Sequence, residues 1–142
     1  HYEDAFRNVS RQLHIRVRRQ RCLFHLLKDL RKKAYDSGRK DELTSALGLI
    51  NYTFFQTPEN LEKLGKNAEP VKRKVSGKSE KEATFILLGL VRDLYSGDPV
   101  IGKFLKQIRK NRREIFWYLE DRKVNRTNNV AEHHFPQRSE PP

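Results

Sequence analysis

Between Leu23 and Leu119 the apolar residues recur mostly at spacings of three and four, and this period constrains the fold more than any other feature. It lays an apolar stripe along a helix, and each stripe needs another to cover it. In "CLFHLLKDLRKKA" the residues Leu23, Leu26, Leu27, Leu30 and Ala34 share one line, Lys28, Arg31 and Lys32 face away, and Gly38 is the stop. A second helix over about 41–55 is expected to bury Leu43, Ala46, Leu47, Ile50 and Phe54. Thr57 and Pro58 begin a short third one. Ser79 and Glu82 form a capping box for "KEATFILLGLVRDLY", which Gly97 closes. Asp98-Pro99 opens the longest helix, to about Leu119, with Ile101, Phe104, Leu105, Ile108, Ile115 and Leu119 in register.

The exceptions are few. Residues 2–10 read as a helix with Tyr2, Ala5, Phe6 and Val9 on one face. "LHIRVRR" then alternates, with Leu13, Ile15 and Val17 on one side, which is the period of a half-buried strand. Residues 65–78, basic and poor in apolar side chains, read as a loop or linker. One strand followed by several helices is not a self-sufficient α/β domain. The expectation is a mainly α chain with a small α/β part, resembling a sheet edge that carries a helical insertion.

Charge points to the partner. Thirty basic residues against 18 acidic ones leave a net +12, a field that favours polyanions and nucleic acid first among them. The single cysteine, Cys22, excludes an internal disulfide framework and fits a reducing compartment. The longest apolar run, Phe85 to Leu90, is far short of the roughly 20 residues that span a bilayer. A soluble intracellular protein with no membrane partner is expected. The chain contains no methionine, so it reads as an internal piece of a longer protein.

Three constellations carry candidate chemistry. "NRTNNVAEHHF" stacks Arg126, Thr127, Asn128 and Asn129 ahead of one carboxylate, Glu132. The plain reading is a helix cap, with Asn129 and Glu132 as a capping box. A cap needs only one asparagine, however, and a carboxylate held rigidly among polar groups can serve as a hard-oxygen ligand for Mg²⁺. "CLFH" sets Cys22 and His25 three apart on a helix. The plain reading is a buried thiol and a surface imidazole. A zinc site adding His133 and His134 lacks the two local ligand pairs usual for that metal. The last constellation is the basic face of the long helix, Lys103, Lys106, Arg109, Lys110, Arg112 and Arg113, uninterrupted by an acid. In a chain of this charge such a face suits phosphate contact. Trp117 and Tyr118 follow it and are either core or a stacking platform.

Two of these segments together resemble a known family. "VRRQRCLFHLLKDLR" is similar to the strand and C-x-x-H helix that follow the second catalytic aspartate of Mutator-like DDE transposases. "LEDRKVNRTNNVAEHHF" is similar to the segment whose TNN-x-x-E run carries their third carboxylate. The resemblance covers nearly the whole chain. It implies a partial RNase H-like fold: residues 1–36 a core segment, 37–120 an all-helical insertion, and 121–142 the final catalytic-helix segment. It also implies DNA cleavage and strand transfer through two Mg²⁺ (or Mn²⁺) ions held by three carboxylates. Glu132 would be the third of these, Asn128 and Asn129 would position its helix, and Cys22 with His25 would be the supporting pair. The partners implied are transposon ends and target DNA, with a homo-oligomer as the full-length state. The compartment would be the nucleoid-containing cytoplasm in a prokaryote or the nucleus in a eukaryote. Both catalytic aspartates are missing and are expected upstream of His1, so this chain alone should be inactive. His133 and His134 stand where the family more often has a basic residue. The rival expectation is a non-enzymatic, basic helical nucleic-acid-binding module in which Glu132 only caps a helix.

Overall fold

The leucine stripe after Cys22 opens the fold. In the computed structural model, which describes residues 19–127, helix α1 spans Leu23–Asp36 and buries Leu23, Leu26, Leu27, Leu30 and Ala34. Gly38 ends it in the left-handed region, at φ 75°, where a Cβ would be strained. Helix α2 (Thr44–Phe54) buries Ala46, Leu49, Ile50 and Phe54, so Leu49 takes a core place and Leu47 is only half-buried. Helix α3 (Pro58–Glu62) starts as expected, the Thr57 hydroxyl accepting from the Asn60 N–H.

Residues 65–78 differ from the expected loop. A 3₁₀ turn, Gly65–Asn67, leads into helix α4 (Ala68–Lys74). Its single buried residue, Val71, is too little to give a readable stripe. Pro70 sits in its first turn, where the missing N–H is not needed.

Helix α5 (Glu80–Tyr95) carries the capping box: the Ser79 N–H donates to the Glu82 carboxylate and the Glu82 N–H to the Ser79 hydroxyl, both at 3.1 Å. The Ser79 backbone amide holds the Glu82 carboxyl below its usual pKa. Helix α6 (Pro99–Lys110) is capped by Asp98, which accepts from the Val100 and Ile101 amides.

The long helix expected up to Leu119 is interrupted. Asn111 and Phe116 leave helical geometry, and the remainder is two single turns, α7 (Arg112–Ile115) and α8 (Trp117–Glu120). The cause is Gln20. Its buried amide donates to the Ile115 carbonyl at 2.6 Å and accepts from the Tyr118 N–H at 2.8 Å. Those are backbone groups that a continuous helix would have used itself.

One core joins these elements. Helices α2 and α5 form the most extensive pair, α1 packs on α6 and α2, and α5 also meets α6. A half-buried polar link joins the segment just after α2 to α5, the Gln56 amide donating to the Thr84 hydroxyl at 2.9 Å. The described residues are thus mainly α, and none of them is in a strand. The strand expected at 13–17 and the helix at 2–10 lie outside the described residues.

Candidate nucleic-acid interface

The described body opens and closes at one point. The Leu23 N–H, at the start of α1, donates to the Arg126 carbonyl at 3.0 Å. One residue earlier, Cys22 is buried at 2% exposure. The Arg21 N–H donates to the Glu114 carbonyl at 2.8 Å, and its guanidinium meets the Glu114 carboxylate at 3.1 Å. The segment entering α1 is therefore held against both α7 and the chain at Arg126. The C-x-x-H segment and the start of the TNN-x-x-E segment lie side by side.

Arg126 secures that junction. Its guanidinium donates to the Phe54 carbonyl at 2.8 Å, pairs with Glu80 at 2.9 Å and lies 4.8 Å from the Tyr118 ring centroid. An arginine expected to meet phosphate thus ties together the end of α2, the start of α5 and α8. Tyr118 beneath it belongs to the core. Burial pushes its phenol up to about 12, against the pull of the Arg126 charge. Thr127 donates its N–H and hydroxyl to the Asn125 side-chain oxygen at 2.9 and 2.7 Å, so the polar cluster begins as a self-bonded turn. His25 is exposed, its ring 5.9 Å from that of Phe24. Asn128, Asn129, Glu132, His133 and His134 lie outside the described residues.

Four of the six basic residues expected on one helix face lie on α6. Ile101, Phe104 and Ile108 are buried, while Lys103, Lys106, Arg109 and Lys110 are exposed. Arg112 and Arg113 are exposed too, but the break at Asn111 sets them on a separate turn. Lys103, Lys106 and Lys110 recur at spacings of three and four, so they form one line along α6. Arg109, Arg112 and Arg113 lie with Arg92 of α5 along a neighbouring groove. The sequence reading separated neither line from the other.

Sequence reasoning missed two residues. Gln20 sits in a basic run, and nothing local marks it as buried. Phe85 falls within an apolar helix in the sequence, yet it is exposed on α5. A signal existed: Phe85, Leu88 and Arg92 fall on one line, away from the line of Ala83, Leu87 and Val91 that enters the core.

Among the described residues no three His, Cys, Asp or Glu side chains are grouped to hold a metal ion, and no helix is long and apolar enough to cross a membrane. The sequence model of the transposase IS66 family matches residues 2–135. This supports the transposase reading but names a different type from the Mutator-like one suggested by the two short motifs. Comparisons with curated proteins and with solved structures gave no match.

Proposed function

Because the chain belongs to the transposase IS66 family, we propose that it supplies part of the catalytic region of an enzyme that cuts and joins DNA at the ends of its own mobile element. The observation that carries the reading is the hydrogen bond from Leu23 to Arg126. A helical body whose two ends meet can be spliced into another fold at one place without disturbing it. That is the requirement for an all-helical insertion between an RNase H-like core and the helix bearing its last carboxylate. The junction also holds Arg126, which precedes Glu132 closely in the sequence, against the start of α1 next to Cys22.

In this reading Glu132 is one of three carboxylates, the other two lying on aspartates upstream in a longer chain. Mg²⁺ or Mn²⁺ held by such a set supplies charge to stabilise the leaving oxygen of a phosphodiester and to activate its attacker. Asn128 and Asn129 position the helix of Glu132. Lys103, Lys106 and Lys110 hold duplex phosphates, and the full-length enzyme works as an oligomer on transposon ends and target.

Salt dependence tests the DNA-binding half of the proposal. Each phosphate contact contributes about 0.9 to the slope of log affinity against log salt. Replacing Lys103, Lys106 and Lys110 by alanine should flatten that slope by roughly 2 to 3 and weaken duplex binding about equally for all sequences. An unchanged slope would mean that the lysine line is ordinary solvated surface.

A further inference from the structure

Phe85 presents an aromatic ring to solvent at 45% exposure, and its surroundings are built rather than incidental. Its ring packs against that of Phe116 at 5.0 Å with a 53° tilt, and Phe116 stacks on the buried Phe54 at 6.0 Å. The three rings run from the core to the surface, so the outermost one sits on a supported platform. Beside it lies a groove of about 450 Å³ between α5 and the α6–α7 segment, floored in part by Phe85 and Leu105. Gly89 keeps that floor low, since only a hydrogen stands where a side chain would rise. The rim carries Arg92, Arg109, Arg112 and Arg113, against which Glu120 is the single acid in the lining.

From this combination we infer that the groove takes an unpaired DNA base, stacked on Phe85, with its flanking phosphates on the arginine rim. Charge selects the class of occupant: four guanidinium groups line the groove against one carboxylate, and although Asp93 outside the lining meets Arg92 at 3.6 Å, the positive excess that remains favours a polyanion. The exposed ring selects within it. Every base has a π-face that stacks on an aromatic side chain, whereas an acidic peptide offers no flat partner. In a duplex the base faces are covered by their neighbours, so only a single strand or an extruded nucleotide can reach the ring. The choice of DNA over RNA rests on the transposase reading. The groove then receives the strand that cleavage frees, while the lysine line on α6 holds duplex.

The test uses the 142-residue chain and two fluorescein-labelled probes, single-stranded oligodeoxythymidylate and a duplex of equal length, read by anisotropy. Phe85→Ala should weaken single-strand binding roughly 5- to 150-fold, the worth of one stacked base, and leave duplex binding unchanged. Phe85→Leu keeps apolar bulk, guards against loss of folding, and should show the same selective loss. Phe85→Trp should restore binding. Equal effects on both probes, no effect on either, or a leucine variant that binds like the parent would each overturn the groove assignment. So would displacement of the single strand by polyglutamate but not by unlabelled oligonucleotide. If duplex binds and single strand does not, the groove assignment alone falls. If neither binds, the DNA-directed function falls with it.

Discussion

Arg126 and Tyr118 show how much one side chain's partners decide. In the sequence Arg126 stands in a polar cluster and suggests a phosphate ligand. In the fold its guanidinium meets the Phe54 carbonyl and the Glu80 carboxylate and covers the Tyr118 ring. No local pattern reveals this, because those partners come from distant parts of the chain. Tyr118 carries a measurable consequence. Its folded pKa, about 12, exceeds the ordinary phenol value of about 10. The folded state therefore retains the proton longer than the unfolded one. The resulting stability is complete below about pH 10 and is lost as pH rises toward 12. Melting temperature should fall over that interval, and Tyr118→Phe should shed less stability across it than the parent. Parallel curves for the two proteins would show that burial does not perturb the phenol.

At the scale of elements, the legible features were those with local chemistry. Capping by Ser79 and Glu82, by Thr57, and by Asp98 with Pro99 all appear at the expected positions, since each is a bond between near neighbours. Two features were not legible. Helix α4 buries one residue and leaves no stripe, and the break at Phe116 is made by Gln20 from far away in sequence; the exposure of Phe85 had a faint signal, its line with Arg92. Asp98 offers the sharpest test at this scale. It caps α6 through the Val100 and Ile101 amides and also pairs with Arg39, which reaches Glu42 as well at 2.8 Å. Asp98→Ala should cost about 1–2 kcal/mol in denaturant unfolding. Asp98→Asn retains an oxygen to accept from the amides, so its cost should be smaller and confined to the lost ion pair. Equal losses would assign the whole effect to Arg39.

For the whole molecule, the periodicity of the sequence yields several apolar stripes but not the fact that the described residues end beside the start of α1. The Leu23–Arg126 bond and the Arg21–Glu114 pairing join residues far apart in the chain, and only the folded core brings them together. This closure sets Arg126 beside the start of α1; the role of Glu132, outside the described residues, rests on the proposed function and is open to direct test. The most direct measurement is strand cleavage by a full-length transposase carrying Glu132→Gln, with melting temperature and end binding recorded on the same preparation. Glutamine keeps the size of the side chain and can still serve in a capping box, but it lacks the charge required of a metal-binding carboxylate. Cleavage and joining should fall to background while melting temperature and end binding stay at the parent values. Cleavage retained at the parent rate would contradict the account, leaving Glu132 a helix cap and the chain's contribution to DNA binding alone.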